Sequence, residues 1–580
     1  MGGQAFTYAE SEEDLTTMGR VGAHLPPHAP PDVLVVGSSQ LFQADGQVRC
    51  VPMPTPDPKD PMNLPNWRKW TAVAALCFFG ALALSAEAII GAMVPVFVLE
   101  YTGIDPRLLG SIDINALAPA GTINLDPLQI LAGLGGPPIW KVSLLSSAPL
   151  LVNGIASYVL VPLSIAVGRR PVLLFAGLLA WLGGFWAGLS HDLDSHLAAR
   201  CLQGFGAGAV EALIPLIIQD MMFINQRNKA FASIVASQGF IIVGLGIASP
   251  LIVVDLSWRY LYWITSGIAV AAWFGCILAV PETRWIRTPD ELAGKEVYPL
   301  RPGEVRPRLD VAVFGPRTNK TDFGLFHIAM EWRLAGRSMV DTVKTTFFPN
   351  VFCVMLLSSV FVSMQGAATQ VGSSLLIAAG WKFRTLGFVV IPIVVATPLV
   401  WFFGGFVADR ISNAHARRNH GRREPEAHLL SLLVPLAAGI AGPLLFGWAG
   451  ENIFTAGSWP VLGSIFLIAF GFLTATTLFS VYLVESYPVY AGPVLVNVAS
   501  IRLCVGFAMS FRATQWIQDM GFFKSFAIYT GALVLACLGL PFVYIYGRRI
   551  RAWTAGQLGP AESMMEHEFD DMYSLRSGKA

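Results

Sequence analysis

Long apolar runs of about twenty residues, separated by short polar breaks, recur through most of this sequence. At a rise of about 1.5 Å per residue, a helix of that length crosses the roughly 30 Å hydrocarbon core of a bilayer. The backbone finds no water there, so each run must satisfy its own hydrogen bonds as a helix. Only 13% of residues are charged, against about 25% in a typical soluble protein. The sequence therefore predicts an all-α integral membrane protein.

The apolar runs form two sets of six. Spans of the first set are predicted near 71–99, 142–167, 172–190, 197–220, 230–254 and 258–280. Spans of the second set are predicted near 349–372, 385–407, 429–448, 460–484, 493–515 and 525–547. A six–loop–six order indicates a duplicated architecture of two six-helix bundles. We expect the bundles to be 69–280 and 347–547, joined by the polar central loop 281–346.

Lys and Arg concentrate on one side of the predicted spans, which sets the orientation. The Arg169–Arg170 turn, the loop 408–428 and the stretch 548–551 all lie on the side of the N-terminus. Basic loops stay in the cytoplasm, so we expect both termini and the central loop there. Residues 1–68 and 548–580 are predicted to be cytoplasmic tails. The first is expected to be mostly disordered, because residues 1–56 are acidic, Pro-rich and lack an apolar run. Plasma membrane is the default location.

Several classes of function are excluded by what the sequence lacks. A net charge of +1 gives no sign of a nucleic-acid partner. The seven cysteines show no metal-ligand spacing, so no metal site or cofactor is expected. All nine histidines fall in predicted tails or loops, which argues against haem or di-iron chemistry and hence against a membrane enzyme. The chain has no G-x-x-x-x-G-K-[ST] motif for an ATP-driven pump.

Short motifs in a fixed order point to a family. They are D-P-K-D-P and N-W-R-K-W at 57–61 and 66–70, G-R-R-P at 168–171, R-C-L-Q-G-F-G at 200–206, P-E-T-R at 281–284 and N-H-G-R-R-E-P-E at 419–426. Together they resemble the major facilitator superfamily and, within it, the fungal drug:proton antiporter-like branch. The resemblance covers residue 57 to about 550. It implies two bundles around a central cavity and secondary transport by alternating access.

The two halves differ in the loop that follows the second span. The family pattern there is G-x-x-x-D-R-x-G-R-R, but the first half has Ile165 and Ala166 in place of Asp and Arg. The second half keeps the other part of the pattern, with Asp409 and Arg410 after Gly405. In the fifth span, the Gly and Pro residues of the antiporter motif are present but separated.

Ionisable residues inside the spans are the candidates for proton coupling, because each costs about 2.5–3.5 kcal/mol at mid-helix. Arg200 and Glu211 lie eleven residues apart in the fourth span, close to three turns, so they share a face about 16 Å apart. We expect Glu211 to bind the proton and Arg200 to bias it; the alternative is a fixed structural ion pair. Glu87 in the first span is the second carboxylate candidate, for a proton or a cationic substrate; the alternative is a solvated position near the outer mouth.

Polar residues in three spans are candidates to line the substrate cavity. Gln203 flanks the Arg200–Glu211 face. Gln365 and Thr369 stand at i, i+4 in the seventh span, which lines the cavity in the resembled fold. In the eleventh span, Asn497 and Arg502 point to different faces, and Arg502 is expected to pair with a carboxylate or carbonyl across helices. The alternative for this set is hydrogen bonding between helices.

Charged residues at the inner ends of spans are candidates for gating. We expect Arg169, Arg170, Asp409 and Arg410 to pair across the two bundles in one state and to separate in the other. The alternative is ordinary topogenic charge, which explains the arginines but not Asp409.

The sequence thus predicts a secondary active transporter whose partners are a small molecule, protons and the bilayer, expected to act as a monomer. Proton-coupled efflux of a hydrophobic or cationic compound, such as a drug, toxin or secondary metabolite, is the leading expectation. The alternatives are proton-coupled uptake of a small polar nutrient or polyamine, and a non-transporting sensor on the same fold.

Overall fold

The structure is a computed structural model that describes residues 39–40, 50–107, 137–294, 297–300, 304, 306–325, 330–419 and 421–555. Most of the first predicted tail and residues 556–580 of the second therefore lie outside the described residues. For 83–92 only the backbone is described.

Apolar runs form the helices of the first half, and polar turns with glycine or proline separate them. Its helices are α1 (Asn66–Ala92), α2 (Val94–Thr102), α3 (Ile139–Val167), α4 (Arg169–Leu189), α5 (Leu193–Met221), α6 (Ile224–Asp255) and α7 (Trp258–Ala279). The central loop contains four shorter helices: α8 (Pro289–Ala293), α9 (Val311–Phe314), α10 (Asn319–Phe323) and α11 (Trp332–Thr345).

The second half begins at Pro349. Its helices are α12 (Pro349–Ala378), α13 (Ile391–Trp401), α14 (Ala408–Arg418), α15 (Leu433–Glu451), α16 (Ile453–Ala456), α17 (Trp459–Ser486), α18 (Ala491–Met520), α19 (Phe522–Cys537) and α20 (Gly539–Ala555). A 3₁₀ turn (Phe383–Val390) precedes α13, a π-helical turn (Phe402–Val407) joins α13 to α14, and a 3₁₀ turn (Pro425–Leu432) precedes α15. Two-residue strands β1 (Ser39–Gln40) and β2 (Arg422–Arg423) pair antiparallel. A further 3₁₀ turn covers Pro61–Asn63.

Eleven helical stretches among the described residues are long and apolar enough to cross a membrane, from Trp140–Val167 to Phe522–Thr554. The 27-residue helix α1 packs against α6 and α7 in the position of the first span. Several spans are composite: Phe383–Arg418 includes α13, the π turn and α14. The fold is the all-α arrangement of two bundles that the sequence predicts.

The structure adds detail to the sequence-based organisation at three places. The first span was expected as one helix over 71–99, but the chain breaks at Met93 and restarts as α2, because Pro95 lacks the N–H that a continuous helix requires. The central loop contains α8–α11 and packs against the bundles. The expectation of disorder does not hold for residues 50–65 of the N-terminal tail, which are largely buried.

An ion pair explains why residues 50–65 are ordered. Asp60 is fully buried and receives both Nη atoms of Arg287, at 3.0 and 2.5 Å. The backbone N–H groups of Thr55 and Met62 also donate to this carboxylate. Burial alone would raise the pKa of Asp60, but the Arg287 guanidinium and these hydrogen bonds outweigh it and hold the pKa below its usual range. The segment is thereby fixed to the start of the central loop.

The two halves meet along two seams, α3 against α18 and α6 against α13. We call the end of the molecule at which α1 begins and α20 ends the proximal end, and the opposite end the distal end. Helix α11 lies at the proximal end and packs on α3 of the first half and α18 of the second. The spans of the two halves thus surround a space between the halves.

Candidate functional site

The space between the halves is a cavity of about 330 Å³. Its lining is contributed by α3, α5 and α6 of the first half and by α12, α13, α17 and α18 of the second. Most of the lining is apolar, with scattered hydroxyl and amide groups. Such a cavity suits an organic molecule with a large apolar surface and few polar groups.

One ion pair crosses this cavity. Glu211 Oε2 on α5 contacts Arg502 Nη2 on α18, so that a carboxylate of the first half meets a guanidinium of the second. Both side chains are largely buried, at 16% and 7% exposed. The Nε of Arg502 finds no hydrogen-bond acceptor among the described residues. Arg502 was expected to pair across helices, and its partner in the structure is Glu211.

The residue expected to bias Glu211 lies elsewhere. Arg200 is fully buried; its Nε donates to the Leu145 carbonyl at 3.2 Å and its Nη1 to the Gln203 side chain. Its guanidinium also lies over the Tyr262 ring, 6.0 Å from the centroid. Three helical turns separate Arg200 from Glu211, too far for direct contact. The residue that contacts Glu211 is Arg502, and an influence of Arg200 on Glu211 stays a prediction.

Two of the predicted cavity residues do not line the cavity. Gln203 is buried against Arg200. Asn497 turns toward the proximal end, where its Nδ2 donates to Thr342 O at 2.5 Å and to Thr345 Oγ1 at 2.9 Å. Both therefore stabilise helix contacts, which was the alternative reading of this set.

Gln365 and Thr369 do line the cavity. Gln365 Nε2 donates to Thr369 Oγ1 at 3.3 Å, and Thr369 Oγ1 donates to the Gln365 carbonyl at 2.8 Å. The side-chain oxygen of Gln365 is buried and has no partner among the described residues. A buried acceptor without a donor costs about 1–3 kcal/mol, so this oxygen favours a bound donor. Glu87 lies in α1, but its side chain is outside the described residues.

The two gating candidates of the first half, Arg169 and Arg170, contact partners within that half. Arg169 Nε contacts Asp220 at 3.2 Å, and Arg170 Nη1 donates to Val280 O at 2.6 Å. Their backbone N–H groups donate to Glu282, whose carboxylate caps the start of α4. In this structure Arg169 and Arg170 thus pair within their own half. Their pairing across the bundles in another state stays a prediction.

Asp409 does cross between the halves. It accepts a hydrogen bond from Asn228 Nδ2 at the proximal end of the seam between α6 and α14. Arg410, one residue on, points another way and lies over the Phe406 ring, 4.5 Å from its centroid. At the distal end of the same seam, Arg384 Nη2 meets Asp255 Oδ2 at 3.0 Å. The halves thus touch at both ends of the cavity.

The sequence did not reveal a dry ionic cluster in the second half. Arg423 Nη2 donates to Glu485 Oε1 at 3.0 Å, and His428 Nε2 lies 3.1 Å from Glu485 Oε2. All three side chains are at most 1% exposed. Next to them, Arg551 joins Glu424 and Glu426 at 2.7 and 2.9 Å. The only sequence signal was the resemblance of residues 419–426 to a family motif.

Among the described residues, two histidines are fully buried, although all nine were expected in tails or loops. His428 belongs to the cluster around Glu485. His196, in the first turn of α5, lies between the hydroxyls of Tyr101 and Tyr262 at 2.9 and 2.8 Å and stacks on Trp258. The expectation failed because the fourth and ninth spans, Leu193–Met221 and Pro425–Glu451, start earlier than their apolar runs indicate.

Two helical bundles around a mainly apolar cavity, with an ion pair crossing it, define a polytopic membrane transporter and not an enzyme. The sequence pattern of the Major Facilitator Superfamily matches residues 76–511, and the chain belongs to that superfamily. The predicted family and fold are confirmed.

Known relatives are distant and extend along most of the chain. An uncharacterized MFS-type transporter of Schizosaccharomyces pombe is 22% identical, covering 89% of this chain and 90% of its own length. The efflux pump FUBT of Fusarium oxysporum is 23% identical, covering 85% of this chain and 76% of its own. The crystal structure of the human organic anion transporter MFSD10 aligns with a TM-score of 0.54 at 17% identity, covering 81% of this chain and 99% of that one. That structural likeness shows the fold alone.

Proposed function

We propose that this transporter is a proton-coupled exporter of an amphipathic organic compound, in which Glu211 exchanges the proton and Arg502 is its partner. The observation that carries the proposal is the Glu211–Arg502 ion pair inside the cavity. It joins the two halves at the place where a substrate would bind. A charged group buried at membrane depth is costly, so a pair retained there favours a functional role.

The ion pair suggests how proton binding drives alternation. With Glu211 ionised, its attraction to Arg502 holds α5 and α18 together, and the low dielectric strengthens that attraction. Protonation of Glu211 removes one of the two charges and releases Arg502. The faces of the cavity can then separate, and deprotonation on the other side restores the contact. The two halves alternate as rigid bodies around a fixed site.

The lining favours an amphipathic compound over a polyamine. Glu211 is the one carboxylate among the described lining residues, and Arg502 already neutralises it. A polyamine would bring several positive charges to an apolar wall whose described residues offer no free anion. An apolar compound with one hydrogen-bond donor, in contrast, could use the side-chain oxygen of Gln365. Export as the direction is supported by relatives named as efflux pumps.

Gating and topology complete the proposal. The contact of Asp409 with Asn228 is the proximal closure between the halves and opens once per cycle. The proximal end is the cytoplasmic end, because the basic loops lie there. The protein acts as a monomer in the plasma membrane.

The test is flux into purified proteoliposomes under imposed pH gradients of either sign. Antiport is expected to accumulate an amphipathic substrate only in vesicles that are acidic inside, since protons leaving drive the substrate in. Accumulation only in vesicles that are acidic outside would identify a symporter and support the uptake alternative. Saturable binding without flux across a panel of amphipathic cations, amphipathic acids, polyamines and polar nutrients would support the sensor alternative.

Glu211→Gln should reduce gradient-driven accumulation by at least about 100-fold. Exchange of substrate for substrate across the membrane should persist, because the cavity remains. Asp194→Asn, on the same helix but 78% exposed at the surface, is the matched control and should transport normally. Wild-type accumulation by the Glu211→Gln variant would remove Glu211 from the mechanism.

A further inference from the structure

Helix α11 of the central loop has three distinct faces. Successive residues are about 100° apart around a helix, so positions three or four apart share a face. Its buried face is made of Ala335, Ser338, Thr342 and Thr345, and it packs on α3 and α18. The small size of these side chains allows the helix to lie close to the bundles.

The second face of α11 is apolar and uncovered. It consists of side chains that are at least half exposed: Trp332 59%, Met339 53%, Val340 54%, Val343 64% and, just beyond the helix, Phe347 78%. These positions recur at helical spacing, so they form one continuous stripe. A stripe of this kind is unfavourable in water and marks a surface that another phase or molecule covers.

The third face is basic. Arg333, Arg337 and Lys344 are exposed and lie side by side next to the apolar stripe. The helix therefore presents an apolar stripe bordered by cations, the pattern of helices that lie in a membrane surface with anionic lipids. Each cation near such a surface strengthens binding.

We propose that α11 is an interfacial helix that inserts Trp332, Met339, Val340 and Val343 among acyl chains and binds anionic phospholipid headgroups through Arg333, Arg337 and Lys344. Its place in the fold supports a lipid surface over another occupant. The apolar stripe continues through Phe347 into α12, a membrane span that begins at Pro349. The stripe is thus continuous with the lipid-facing surface of the bundle.

The position of α11 gives this lipid contact a consequence for both halves. Glu331, the residue just before the helix, donates its backbone N–H to Ala166 O at 3.1 Å and pairs with Arg284 at 3.0 Å, both beside the first half. Near its C-terminus, Thr342 and Thr345 hold Asn497 of α18. Helix α18 also carries Arg502. A bilayer that holds α11 therefore holds α3 and α18 together at the proximal end.

Hydrogen–deuterium exchange of the full-length protein in nanodiscs tests the proposal. The peptide covering 331–347 is expected to exchange several-fold more slowly in phosphatidylcholine discs that contain phosphatidylserine than in phosphatidylcholine alone. The triple variant Arg333→Gln/Arg337→Gln/Lys344→Gln should lose this difference. The matched control Lys320→Gln/Arg418→Gln/Arg548→Gln removes three other exposed cations of the proximal end and should keep it.

A photoreactive benzoylphenylalanine provides the second measurement. At position 343 it is expected to form adducts with phospholipid, whereas at position 308, which bears an exposed loop arginine, it should not. Exchange rates of 331–347 that are equal in both kinds of disc would overturn headgroup binding. Adducts at 343 with a second copy of the chain, in place of lipid, would overturn the membrane assignment and make the stripe a protein interface.

Discussion

Both halves of the molecule place an arginine–carboxylate contact at the same point, but in different surroundings. In each half the arginine lies at the junction of the second and third spans, and the carboxylate is the penultimate residue of the fourth span. Arg169 and Asp220 of the first half are each 13% exposed, whereas Arg423 and Glu485 of the second are each 1% exposed. Arg423 reaches both oxygens of Glu485 and has His428 beside it; Arg169 contacts Asp220 through Nε alone.

The difference indicates that the second half is held more rigidly at its proximal end. Removing one partner of a dry ion pair leaves a buried charge, whereas a partly wet pair can recruit water. The first half places its dry ion pair elsewhere, between Asp60 and Arg287, outside the spans. Ion pairs at equivalent positions of the two halves therefore differ in how much they contribute to stability.

The asymmetry extends to the seams between the halves. On the seam of α6 and α14, a side chain from the second half, Asp409, makes the crossing contact. The corresponding part of the first half has Ile165 and Ala166, which cannot make such a contact. On that side Gln219 donates to Pro488 O at 2.8 Å, and α11 packs across the seam. One seam is closed by a charged side chain and the other mainly by a helix.

The largest expected effect is on stability and compares the two arginine–carboxylate contacts directly. Glu485→Gln should lower the free energy of unfolding by about 3–5 kcal/mol, since Arg423 is left charged and dry. Asp220→Asn should cost about 1–2 kcal/mol, because Arg169 retains Ser164 and some water. Thermal denaturation of the purified variants in one detergent measures both. Equal losses of unfolding free energy in the two variants would contradict the proposed difference between the halves.

A smaller effect is expected at the seam that Asp409 closes. Asp409→Ala removes a hydrogen bond to a charged group, worth about 1.5–3 kcal/mol, and should raise the proximally open population about tenfold or more. The rate of thiol labelling at Ser480→Cys, in the cavity wall, measures this population against the native cysteine background. Arg410→Gln is the control and should label at the parental rate. A parental rate for Asp409→Ala would show that the contacts on the other seam, Gln219 with Pro488 and the packing of α11, are enough to close the proximal end.

The smallest effect is local and depends on pH. The pKa of Asp60 is lowered in the folded state, so its contact with Arg287 stabilises the segment 50–65 above the usual carboxyl pKa and is lost as the pH falls below about 4. Protease cleavage within 50–65 should therefore increase at acid pH. Asp60→Asn should be cleaved readily at every pH. Cleavage that is independent of pH in the parent protein would contradict this account of the first half.

The spans and their pairing into halves could be predicted because each depends on a local property, the length of an apolar run. Contacts between spans could not be predicted from such a local property. Helical spacing put Arg200 and Glu211 on one face of α5, but a single helix says nothing about its neighbours. Arg502 lies 291 residues further along the chain than Glu211 and meets it only because α5 and α18 face the same cavity.

Two ordered features are not evident from the composition of the segments in which they lie. The stripe of Trp332, Met339 and Val343 has helical spacing, yet it lies in a loop whose mean character is polar. The ordered segment 50–65 is held by Asp60 and Arg287, which are 227 positions apart and belong to no common motif. In both cases the structure comes from a few specific contacts and not from composition.

The π-helical turn Phe402–Val407 has a further consequence. A π turn holds one more residue than the α-helix over the same hydrogen-bonded loop, so the eighth span contains a spare residue. If the turn tightened to α geometry, everything beyond it would rotate by about 100° about the helix axis. Asp409 lies two residues past the turn and would swing away from Asn228. Conversion of this turn to α geometry would therefore break the contact of this carboxylate with its partner on the other half.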